Sequence, residues 1–201
     1  MLAEFININR LPSSFKAVAE HVYIPLAERI NLQKDKQEKP FFVGINGCQG
    51  SGKSTFSDFL VAYLSTTHGL KVVSMSLDDF YLSTSAREAL AIQIHPLFST
   101  RGVPGTHDIE YLERVLSDLK QSITPCVIPK FNKALDEPFP QKAWQHIKEP
   151  SDVVLVEGWC WGIPAQAEEQ LNTPVNALEK SLDTDKIWRT HVNNQIKSAY
   201  Q

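Results

Sequence analysis

The chain has 201 residues and 22.6 kDa, with 20 Lys+Arg against 23 Asp+Glu, a formal charge of -3 and a pI near 6.1. A hydrophobic fraction of 42% with 21% charged residues excludes wholesale disorder, and no apolar run approaches the roughly 18 residues that span a bilayer. The mildly acidic balance, with no long Lys/Arg block, argues against a general nucleic-acid binder.

The opening MLAEFININR lacks the basic-then-apolar order of a secretory signal. Residues 1–40 read as a helical appendage with a linker, ahead of a domain over 41–201. Phe15, Val18, Ala19, Val22, Leu26, Ala27 and Ile30 recur at helical spacing, interrupted by Pro25. Gln33–Pro40 is a charged, polar stretch expected in water.

Strands and helices then alternate. Phe41–Ile45 is a short apolar run, and Lys53–Ser65 carries Phe56, Phe59, Leu60 and Leu64 on one helical face. Lys71–Leu77 reads as a second strand. Asp108 is placed to cap a helix whose Ile109, Leu112, Val115, Leu116 and Leu119 form one face. Thr124–Pro129 is a doubtful short strand, Asp152–Glu157 a buried one, and Pro174–Tyr200 a helix started by Thr173. This grammar predicts an α/β fold with a parallel sheet covered by helices on both faces. Three cysteines, Cys48, Cys126 and Cys160, show neither metal-ligand nor disulfide spacing, so a reducing cytoplasm is the expected compartment.

One motif carries chemistry by itself. Gly47-Cys48-Gln49-Gly50-Ser51-Gly52-Lys53-Ser54, followed by Thr55, fits G-x-x-x-x-G-K-[ST] between a strand and a helix. Glycines let successive backbone N–H groups turn inward as an anion nest, and the helix N-terminus adds partial positive charge. Lys53 is expected on the β- and γ-phosphates and the Ser54 hydroxyl on Mg²⁺.

Other P-loop classes fit poorly. Asn132-Lys133-Ala134-Leu135-Asp136 misses the guanine-reading N-K-x-D because Leu135 stands where Asp is needed, and no D-x-x-G follows the loop. Small-molecule phosphotransferases remain. Asp78 and Asp79 end the second strand at the edge where open α/β sheets bind ligands. Asp78 suits acceptance of a hydroxyl proton and a share of Mg²⁺; Asp79 either joins in or caps the turn. Tyr81 is core or substrate wall. Glu157, ending the last strand, is expected beside Mg²⁺, because a buried carboxylate requires a cationic partner.

The segments GCQGSGKST (47–55), SLDDFYL (76–82), RGVPGTHD (101–108), IPKFNK (128–133) and VEGW (156–159) together resemble the glycerate kinase-like branch of the P-loop small-molecule kinases, related to uridine kinase, phosphoribulokinase and bacterial pantothenate kinase. The resemblance implies a P-loop NTPase-type three-layer sandwich that uses ATP and Mg²⁺. It implies Asp78 as general base, Glu157 as the Mg²⁺-associated acid, and Arg101, His107 and Lys130 as substrate-loop residues. A small carboxylate acceptor such as glycerate needs a cation, and Arg101 supplies one. Phe131-Asn132 stands where relatives carry Tyr-Asp, and the chain ends before the last strand and Arg-bearing lid expected from them. Expected partners are small molecules, with no nucleic acid and no membrane.

Overall fold

Val153–Gly158 is buried at every position, as a strand covered on both faces must be. The computed structural model describes residues 1–36 and 38–200. Gln37, inside the expected linker, and Gln201 lie outside the described residues. In chain order the helices are α1 (Leu2–Ile8), α2 (Phe15–Val18), α3 (Ile24–Lys34), α4 (Lys53–His68), α5 (Thr84–Gln93), α6 (Ile109–Lys120), α7 (Ala177–Leu182) and α8 (Ile187–Gln195). The strands are β1 (Phe41–Asn46), β2 (Val72–Ser76), β3 (Cys126–Ile128), β4 (Phe131–Asn132), β5 (Glu137–Pro138), β6 (Gln145–Ile147) and β7 (Val153–Gly158).

Two compact units make up the chain. The first contains residues 1–76, 115–128 and 146–159. Its centre is a parallel sheet in the order β1-β7-β2. The register sets Ile45 and Ser76 level with Glu157, so that carboxylate stands at the centre of one row across the sheet. Helix α4 lays Leu60 and Leu64 on Ile45, Val153 and Leu155, and Ala27 of α3 completes the cluster. Gly69, in the left-handed region at φ 67°, closes α4 and returns the chain to β2.

The N-terminal helices are bound into this unit by aromatic packing. Phe5, Phe15 and Ala19 bury themselves against Phe59 of α4, with Phe5 edge-on to Phe59 at 5.4 Å between ring centres. A π-helical turn over Ala19–Tyr23 precedes Pro25, which sits in the first turn of α3 where its missing N–H costs little. Helix α3 continues through Lys34, so the first two residues of the expected linker are helical.

The doubtful strand exists but lies elsewhere. β3 pairs with β6 in a separate two-stranded sheet and does not join the parallel one. Three strands form the parallel sheet among the described residues.

The second unit holds residues 77–114, 129–145 and 160–201. Its short hairpin pairs β4 with β5, closed by an Asn132 side chain that accepts from the N–H groups of Ala134 and Leu135. The long helix expected over Pro174–Tyr200 is instead split into α7 and α8. Asp183 is the physical reason: its carboxylate accepts from Trp188 N and Arg189 N and so starts a new helix. Asn176, not Thr173, caps α7 through Glu179 N. Asp108 caps α6 as expected, accepting from Tyr111 N at 3.0 Å.

Candidate functional site: a phosphate loop and an acidic loop cluster

In the first unit, β1 delivers the chain into the Gly47–Ser54 loop and α4 begins at Lys53. Gly50 and Gly52 take φ of 76° and 87°, where a side chain would be strained. Gly47 is required for a different reason: a Cβ there would stand 2.7 Å from Ser51 Oγ and 3.2 Å from Lys53 Cγ. The loop is tied to the sheet by Gly47 N–H donating to Gly158 O, and internally by Ser51 N–H donating to Cys48 O. Lys53 folds over the loop and donates to Cys48 O at 2.9 Å. These are the features of a cradle whose lining is backbone, and they fit a polyphosphate.

Ser54 Oγ donates to Glu157 Oε1 at 3.2 Å, so hydroxyl and carboxylate already converge. Glu157 is only 9% exposed. A hydroxyl alone is a weak partner for a buried carboxylate, and hard oxygen donors in this arrangement suit Mg²⁺. Gln49 lies within the loop and Thr55 within the first turn of α4.

The second unit gathers the remaining predicted residues around a short 3₁₀ turn, Leu77–Phe80. Asp79 is engaged: Lys130 Nζ donates to it at 2.7 Å and Phe131 N–H at 3.3 Å. Both bonds reach about fifty residues along the chain and tie the 3₁₀ turn to β4. Asp78 is held by Lys133 Nζ at 2.5 Å. Lys133, part of the IPKFNK segment, was not singled out as a partner of Asp78 in the sequence, because a distance of 55 positions hides the pairing.

Tyr81 and His107 are both buried and packed on each other. They pair through a backbone bridge, and their rings stack with centres 4.3 Å apart. Burial, then the negative charge and hydrogen bond of Asp78, push the Tyr81 phenol well above its ordinary pKa, so it stays protonated. Burial pulls His107 down to about 3, with Asp78 opposing weakly, so the imidazole is neutral.

Arg101 does not stand free. It bonds Asp136, donates to Lys133 O at 3.3 Å and lies 5.6 Å over the Phe131 ring. Asp136 also receives the fully buried Arg87 at 2.6 Å. Two arginines therefore share one carboxylate, and the Arg101 fork is half-buried against it. The departure Phe131-Asn132 has a structural use: Phe131 carries the cation and Asn132 closes the turn.

The Phosphoribulokinase / Uridine kinase family matches residues 42–178. The chain belongs to this family. It is 36% identical over 141 residues to the Schizosaccharomyces pombe protein named uncharacterized kinase mug58, covering 66% of this chain and 50% of that one. It is 29% identical over 206 residues to the chloroplastic D-glycerate 3-kinase of Arabidopsis thaliana, covering 90% of this chain and 45% of that one. The solved structure of a D-glycerate 3-kinase from Cryptococcus neoformans superposes with a TM-score of 0.70 at 27% identity, covering 88% of this chain and 68% of that one. The fold is thus the expected α/β type of P-loop kinases with a parallel sheet. The chain spans about half the length of the curated relatives it matches. No helix among the described residues is long and apolar enough to cross a membrane.

Proposed function

We propose that the protein is an ATP- and Mg²⁺-dependent kinase that phosphorylates a hydroxyl of a small organic acid, with D-glycerate as the acceptor. The observation that carries this reading is the likeness to a D-glycerate 3-kinase over 90% of the chain, together with an acidic turn followed by a loop arginine. The Gly47–Ser54 backbone would hold the polyphosphate, and Lys53 would leave Cys48 O to neutralise charge that develops on it. Ser54 and Glu157 would hold Mg²⁺, which supplies Lewis-acid neutralisation of phosphate oxygens when bound.

Asp78 would accept the proton of the attacking hydroxyl, once Lys133 yields its place. Arg101 would take the acceptor carboxylate in bidentate fashion, in exchange for Asp136. Tyr81 and His107 would wall the acceptor, while Asp79 and Lys130 keep the hairpin in position. Most of the acceleration would come from positioning and electrostatics. We place the enzyme in the cytoplasm.

Coupled ADP release with a panel of D-glycerate, pantothenate and uridine tests the acceptor. D-Glycerate is expected to give the highest kcat/KM. Turnover with pantothenate or uridine but none with D-glycerate would overturn the acceptor while leaving the reaction class intact.

A further inference from the structure

Tyr200 lies outside residues 42–178 that match the family, yet it is fully buried and bonded into the RGVPGTHD loop. Its hydroxyl accepts from Gly105 N–H at 3.2 Å and lies 2.8 Å from His107 Nδ1. The Tyr200 ring also stands edge-on to the His107 ring, with centres 5.7 Å apart. On the other side His107 is stacked on Tyr81, so the imidazole is clamped between two phenols.

Hydrogen-bond accounting then fixes the proton. If Nδ1 carried it, Nδ1–H and Gly105 N–H would both use the phenol oxygen as acceptor. The phenol's own proton and the Nε2 lone pair would then both be buried without partners. If Nε2 carries it, the phenol donates to Nδ1 and one group is left over: an Nε2–H with no hydrogen-bond partner in the described structure. The second arrangement strands fewer groups and is the stable one. His107 is only 4% exposed, so that single unmet donor is a cost the folded loop carries.

We propose that Tyr200 is a positioning residue that locks His107 as its Nε2–H tautomer, and that this N–H is the donor for an oxygen of the bound acceptor. The inference rests on the reading of His107 as part of the acceptor site. A neutral donor suits a position under the influence of Asp78, because an imidazolium there would oppose proton acceptance by the carboxylate. Specificity follows from the same bond. An acceptor lacking an oxygen at that point leaves the N–H unpaired and binds less well.

The test uses long-range ¹H–¹⁵N NMR of the full chain with ¹⁵N-labelled histidine, alongside acceptor kinetics. In the native chain His107 is expected to show a protonated Nε2 and an unprotonated Nδ1 at neutral pH. Tyr200→Phe keeps the ring and removes only the O–H. It is expected to convert His107 to a mixture of tautomers and to raise KM for D-glycerate about tenfold, with kcat changed less than about threefold. His107→Gln, which retains an N–H at similar reach, is expected to keep KM within about threefold of native, whereas His107→Phe raises it about tenfold. A native His107 protonated on Nδ1, or an unaltered tautomer in a folded Tyr200→Phe chain, would overturn the lock. A tautomer change without a KM change would overturn the acceptor contact. Absence of any D-glycerate turnover in the native chain speaks instead against the acceptor reading, and the NMR result is read independently of it.

Discussion

The phosphate loop and the acidic loop cluster are built from opposite materials. The first is a backbone device, in which glycines at positive φ and a glycine whose Cβ would strike Ser51 leave N–H groups as the working surface. The second is a side-chain device, in which every named carboxylate has a basic partner: Asp78 with Lys133, Asp79 with Lys130, and Asp136 with Arg87 and Arg101. A backbone cradle recognises what all its nucleotides share. A set of ion pairs depends instead on the particular side chains that meet, so it can differ from one protein to the next.

Asp78→Asn should break the comparison most visibly. Removing the proton acceptor is expected to cut acceptor-dependent turnover by about 10³-fold while leaving ATP affinity within about twofold, measured by calorimetry and coupled ADP release. Lys53→Ala should act in the opposite sense, weakening nucleotide affinity by about 30-fold and lowering turnover with it.

Arg87→Met probes the cluster's foundation. Arg87 is fully buried and donates to Ser99 O, Leu82 O, Thr84 Oγ1 and Asp136. Its loss strands those acceptors and should cost about 3 kcal/mol in urea unfolding, with little effect on isolated nucleotide affinity. Gly47→Ala should spare stability in comparison and weaken ATP binding about tenfold, since the new methyl displaces Ser51 and Lys53 from the cradle.

The last effect shows only when pH is varied. His107 has its folded pKa lowered to about 3 from an ordinary 6.5, so the unfolded chain binds the extra proton first. Its contribution is therefore present above pH 6.5 and is lost as pH falls toward 3, at up to about 1.4 kcal/mol per pH unit. His107→Gln should flatten that slope in acid-unfolding curves.

These contrasts explain what could be read from the residues alone. The strand cores, the P-loop and the Asp108 cap are local patterns, written in runs such as DVVLVE and GCQGSGKST. Glu157 was legible because a carboxylate at the end of an apolar strand needs a partner, and Ser54 meets it. What escaped is long-range pairing. Nothing near Asp78 announces Lys133, nothing near Arg101 announces Asp136, and Tyr200 carries no motif at all. The split between α7 and α8 escaped for a related reason: Asp183 looks like any polar helix residue until its carboxylate is seen capping the next helix.

The central claim is that the γ-phosphate of ATP is transferred to an acceptor hydroxyl rather than merely bound or hydrolysed. ³¹P NMR of the native chain incubated with ATP, Mg²⁺ and D-glycerate tests it directly. A phosphomonoester of glycerate growing in step with ADP is expected. ATP left intact, or ADP accompanied only by inorganic phosphate, would contradict it.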